Sequence, residues 1–150
     1  MSGTDDAAGW QDLYQIGVTD IDDQHRLLFT KFDEFCAALD APPGRSAIAE
    51  VLYQLERYAE FHFVSEEALM ERIGYTGIAE HKSQHQHYRD TLALLIRDFH
   101  AGIDILEGVY FFFNTWLRAH IQHADQKIGA FMASGGGIPA SGEPLVMSAA

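Results

Sequence analysis

The chain of 150 residues has a single cysteine, Cys36. That excludes an internal disulfide and a cysteine-rich zinc site. Proline is scarce too: all four (Pro42, Pro43, Pro139, Pro144) fall in two breaks, where they cost no helical hydrogen bond. Basic residues are few, with Lys and Arg totalling 10 against 22 Asp and Glu, a formal charge of -12. Without a basic face to replace phosphate counterions, nucleic acid is not an expected partner. An anionic membrane surface is disfavoured on the same ground. No apolar run approaches the roughly 20 residues of a spanning helix, so membrane insertion is not expected. The first twenty residues lack the charged-then-apolar pattern of an export signal, which leaves the cytoplasm as the expected location.

What is there is 47% hydrophobic residues, ample for a packed core, in a length suited to one domain. Proline and glycine breaks leave four segments, about 21–40, 47–73, 78–100 and 104–132, each long for a helix. None alternates apolar and polar residues as a half-buried strand does. Each carries instead a seam spaced by threes and fours. The seams are Ile21, His25, Leu28, Phe32, Phe35, Leu39; then Leu55, Ala59, His62, Glu66, Leu69, Ile73. They continue with Ile78, His81, His85, Tyr88, Leu92, Leu95, Phe99, and with Leu106, Tyr110, Phe113, Leu117, His120, Ala124, Ile128. Such stripes predict helices that bury one face. Thr19 or Asp20, Ser46 and Asp104 are the expected caps. The expected fold is all-α, an up-down-up-down antiparallel four-helix bundle over 21–133. An N-terminal arm (1–20) bearing Trp10, Leu13, Tyr14 and Ile16 precedes it, and a flexible tail (134–150) follows.

Histidine occupies seam positions 25, 62, 81, 85 and 120, glutamate occupies 66, and Asp125 lies one residue past the seam position Ala124. A lone seam histidine reads as a hydrogen-bonded core residue. Five with two carboxylates do not, because a buried, unpaired carboxylate costs many kcal/mol. A metal cation supplies the missing charge and takes neutral imidazole as donor. His62 and Glu66 are four apart, as are His81 and His85, so each pair shares one helix face. His120 and Asp125 are five apart, about 140° around an ideal α-helix. They either straddle a wide site or rely on a local widening of the helix. In an up-down-up-down bundle the starts of helices one and three and the later halves of two and four share one end, so all seven converge. Two bridging carboxylates, five imidazoles and a bridging oxygen would fill all but one position of an octahedral pair.

These residues sit in stretches that resemble the hemerythrin family in its bacterial form, the bacteriohemerythrins: IDDQH at 21–25, HFVSEEALM at 62–70, HKSQH at 81–85 and WLRAHIQHAD at 116–125. The resemblance runs from about Trp10 to Phe131. It implies that His81, His85 and His120 hold one iron and His25 and His62 the other. Glu66 and Asp125 would bridge the two with a solvent-derived oxo or hydroxo group. It further implies that dioxygen binds reversibly at the iron with two histidines, with no net reaction, so an enzyme is not expected. Leu28, Phe29, Trp116 and Leu117, three or four residues from His25 or His120, would wall that oxygen pocket.

Rival readings are weaker. Ferritin-like oxidases use Glu-x-x-His pairs, and no glutamate here has a histidine three residues later. A zinc hydrolase would need His-Glu-x-x-His and fewer donors. Manganese suits the same ligands, so iron rests on the resemblance. An oxygen or redox sensor signalling to an effector is the alternative role, suggested only by the tail. The protein partner is left unidentified. His87, His123 and Glu67 are expected to face water, His100 to sit at a helix end, and Cys36 to pack.

Overall fold

The computed structural model describes residues 14–40 and 45–135. Trp10, Leu13, the four prolines and the tail beyond Gly135 lie outside the described residues. Among the described residues there are four helical runs and no strand. Helix α1 is Thr19–Asp40, α2 is Arg45–Ile73 and α3 is Ile78–His100. We call the run over 106–133 α4; it is α-helical at Leu106–Phe111 and Gln126–Ala133 and has wide π turns at Phe112–Leu117 and His120–Asp125.

Local chemistry explains the ends. Asp20 and Asp22 stand in the first turn of α1, where negative charge suits the helix dipole. Both Thr19 and Ser46 fall inside the first turns of their helices, because α1 begins at Thr19 and α2 at Arg45. The carboxylate of Asp22 takes the amides of Ile16 at 2.8 Å and Gly17 at 3.2 Å, tying residues 16–17 to the helix start. After α3 the chain turns at Gly102, whose φ of 81° lies in the left-handed region that glycine enters without strain. There Ile103 N–H donates to Asp98 O at 2.9 Å and Gly102 N–H to Phe99 O at 3.0 Å. Asp104 then accepts the amide of Leu106 at 3.0 Å.

Contacts between helices follow descending numbers. His25 meets His62 and Lys31 meets Gln54; Glu60 meets Arg89 and Glu71 meets Lys82. Gln84 meets His120 while Tyr88 meets Phe112, and Phe29 meets Phe113 while His25 meets Asp125. All four helices contribute to one large apolar core, including Leu28, Phe35, Leu55, Phe63, Leu92 and Phe113. A smaller core gathers Ile16, Ile21, Leu69, Met70, Ile73 and Ile128. Gly129 makes that second core possible, since a Cβ there would fall on the carbonyl oxygen of Ile16. Tyr14 is buried as well, and Arg118 donates to its hydroxyl at 2.7 Å.

The seams of α1 and α2 are buried nearly throughout. In α4 the seam slips. Tyr110 is exposed while Val109 and Phe112 are buried, because the wide turn starting at Phe112 changes the number of residues per turn.

Candidate metal centre

Between the two apolar cores lies a polar belt. On α1, His25 sits between Ile21 of the small core and Leu28 of the large one. The order is reversed along α2, where His62 and Glu66 fall between Ala59 of the large core and Leu69 of the small one. On α3, His81 and His85 come one turn apart. On α4, His120 and Asp125 are the two ends of the second π turn. There the i→i+5 bonding puts residues five apart one above the other. The widening is therefore what aligns this pair, and His120 Nε2 lies 3.0 Å from Asp125 Oδ1.

The structure brings all seven residues together, each 0–3% exposed. Their donor atoms fall into two overlapping sets: Glu66, His81, His85, His120 and Asp125 in one, His25, His62, Glu66 and Asp125 in the other. Both carboxylates belong to both sets. His81 Nε2 is 2.5 Å and His85 Nε2 3.0 Å from Glu66 Oε1. His25 Nε2 is 3.0 Å from Asp125 Oδ2, and His62 Nε2 is 3.5 Å from Glu66 Oε2.

Hydrogen bonding does not account for this arrangement. Glu66 Oε2, both oxygens of Asp125, His120 Nε2 and His25 Nδ1 are buried without a hydrogen-bond partner. An unsatisfied buried oxygen costs about 1–3 kcal/mol, more when charged. Here lone pairs converge on common points, and a cation satisfies several of them at once. The outer faces of the rings agree. His62 Nδ1–H donates to Gln24 Oε1 at 3.0 Å, His120 Nδ1–H to Gln84 Oε1 at 2.8 Å, and His85 Nδ1–H to Glu67 Oε2 at 2.8 Å. With the proton fixed on Nδ1, the Nε2 lone pair points inward, as metal ligation requires. These donors fit a metal cation.

Charge is unevenly shared among the belt's side chains. Burial opposes a charge on His25, yet Asp125 and Glu66 carry its pKa up to about 9. His120 is likewise lifted, against burial, to about 10, and His81 rises for the same reason. His62 is the exception, since burial pushes it down to about 3. Burial also disfavours charge on Glu66 and Asp125, but the imidazoles facing them hold both well below the usual carboxylate range. Proton and metal compete for these nitrogens, because a ligating imidazole must be neutral.

Of the residues expected to wall an oxygen pocket, Leu28 and Leu117 are buried in the large core. Phe29 and Trp116 are half-buried against it. The ring of Phe29 lies 5.5 Å from Tyr14, with the Arg118 guanidinium 4.7 Å above it, while Trp116 packs on His87 at 4.6 Å. His87, His100 and His123 are exposed, and Cys36 is half-buried. Glu67 does not face water as expected; it grips His85 with only 18% of its side chain exposed. Gln24, Gln84 and Glu67 are the functional residues that spacing missed. Their signal was adjacency, since Gln24 precedes His25, Gln84 precedes His85, and Glu67 follows Glu66.

Residues 16–131 match the family model described as the hemerythrin HHE cation binding domain. A bacteriohemerythrin of Stenotrophomonas maltophilia is 35% identical over 117 residues, which are 78% of this chain and 76% of that protein. The hemerythrin of Themiste dyscrita is 29% identical over 118 residues, 79% of this chain and 88% of that one. Among solved structures, a wild-type hemerythrin crystal structure superposes with a TM-score of 0.74 at 30% identity, covering 80% of this chain and 92% of the other.

Proposed function

The chain belongs to the hemerythrin family of cation-binding domains, and from that premise we propose that it binds dioxygen reversibly at a non-heme di-iron centre, as a carrier, store or delivery protein. The observation that carries this reading is the pair of buried donor sets sharing Glu66 and Asp125. His81, His85 and His120 would hold one iron and His25 and His62 the other, with Glu66 and Asp125 shared between them. Iron bound there would supply the electrons that dioxygen takes up on binding and returns on leaving.

The chain does the rest. With one imidazole fewer, the half bearing His25 and His62 leaves room for a small ligand. Leu28, Phe29, Trp116 and Leu117 wall that pocket and keep water and stray protons from it. Gln24 and Gln84 hold the Nδ1 protons of His62 and His120, so that the inward nitrogens remain acceptors. The two apolar cores above and below the belt limit solvent further. Binding without net reaction makes the protein a binder and not an enzyme. No helix among the described residues is long and apolar enough to cross a membrane, and we place the protein in the cytoplasm. The descending contact numbers between successive helices support an up-down-up-down antiparallel bundle.

An optical and metal-content experiment tests the reading. Protein made with ample iron should carry two irons per chain and show near-ultraviolet oxo-bridge bands. The reduced protein should gain a visible charge-transfer band with oxygen and lose it on deoxygenation. A metal ratio near one, or zinc alone after iron-replete expression, would sink the di-iron assignment.

A further inference from the structure

Three of the five imidazoles have a side-chain partner for Nδ1, and those partners are not alike. Gln24 and Gln84 are neutral amides, whereas Glu67 is a carboxylate. Glu67 is also held from the far side. Its Oε2, which accepts the His85 proton, lies 3.1 Å from Arg89 Nη1, and Arg89 Nε donates to Glu60 at 2.7 Å. The Arg89 guanidinium sits 5.3 Å over the ring of Phe63, which in turn stacks on His85 with centroids 4.5 Å apart. Three side chains from two helices thus fix one carboxylate against one ring. A carboxylate drawing on Nδ1–H pushes electron density toward Nε2 and strengthens it as a donor to a cation, more than an amide does.

We propose that Glu67, fixed by Arg89, is a positioning residue that sets the order of metal loading: the first cation enters the half bearing His81, His85 and His120. The half bearing His25 and His62, backed only by the amide of Gln24, fills second and holds its cation less tightly. This rests on the reading of the buried belt as a two-metal centre. It concerns the outer faces of the ligands, which donor count alone does not address. Order matters because the later, weaker half is the one with a position to spare.

Zinc tests this without any oxygen chemistry. Metal-free protein titrated with zinc against a chromophoric chelator should bind in two steps. Glu67→Gln keeps an acceptor but removes the charge. It should weaken the first step about tenfold, the low end for a lost outer partner, and leave the second unchanged. In the zinc-loaded protein the same change should move the His85 Nδ1–H proton resonance upfield, which a merely structural role would not do. The reciprocal variant Gln24→Glu should strengthen the second step by a similar factor and serves if Glu67→Gln fails to fold. First-step affinity and His85 resonance unchanged in Glu67→Gln, or an unchanged second step in Gln24→Glu, overturns the proposal while the metal centre stands. Wild-type protein that takes up no zinc overturns the centre itself, and the loading order with it.

Discussion

The large apolar core and the polar belt are equally buried, yet they are held together by different rules. In the core, Phe35, Phe63, Phe112 and Phe113 are 0–1% exposed and interchangeable in kind. What counts there is volume, and a lost ring is a lost share of a sum. In the belt, Glu66 and Asp125 are no more exposed, but each faces several imidazoles and carries oxygens with no hydrogen bond. Their cost is offset only by charge brought from outside the chain, as protons or as metal. Burial by itself therefore says nothing about what a residue does for the fold. The number of partners its polar atoms lack is the better guide.

Core and belt should differ most at Glu66, a carboxylate common to both donor sets. Glu66→Ala should take metal content from about two per chain to near zero. It should also destabilise the metal-free protein by about 3–5 kcal/mol, since it strands buried imidazoles. Metal analysis and thermal melts of both forms check this. Phe35→Ala should cost a similar amount, about 3–5 kcal/mol, but leave the metal content of the folded protein intact. A fall in both would mean that core and belt are not separable.

Acidity separates the two regions more gently. Folded His25 and His120 titrate near 9 and 10, above their ordinary value. Their contribution is therefore complete below that ordinary value, declines as pH rises above it, and is gone once pH has passed through 9 to 10. The melting temperature of metal-free protein should fall over that interval, whereas metal-loaded protein, whose ligand imidazoles hold no proton on Nε2, should stay level. His62, pushed down to about 3, works in the opposite sense and destabilises the metal-free fold as pH drops below the ordinary imidazole range. The smallest effect belongs to exposed His123. Its change to alanine should leave metal content unchanged and stability within about 0.5 kcal/mol.

Sequence periodicity carried the helices of α1 to α3 because their seams obey one period from end to end. It brought His25, His62, Glu66, His81 and His85 to one level by the same arithmetic. It faltered at Tyr110 and left Asp125 off the stripe, because both lie by wide turns, and a fixed period has no way to express a change of pitch. The partners Gln24, Gln84 and Glu67 were illegible for another reason. They sit beside a ligand in sequence yet hold a ring on a different helix, and only tertiary placement reveals that reach.

The wide turn between His120 and Asp125 can also be counted as one added residue. Without Ala124 the pair would stand four apart, the interval that serves His62 with Glu66 and His81 with His85 on ordinary helix. Were the extra residue wound into ordinary α-helix instead, everything after it would rotate by about 100° relative to the core. Ile128 would leave the small core, and Gly129 would no longer admit the backbone of Ile16. The wide turn therefore sets the phase of the helix's last turns. The seat of the N-terminal segment is geared, through that one count, to the site where the donors meet.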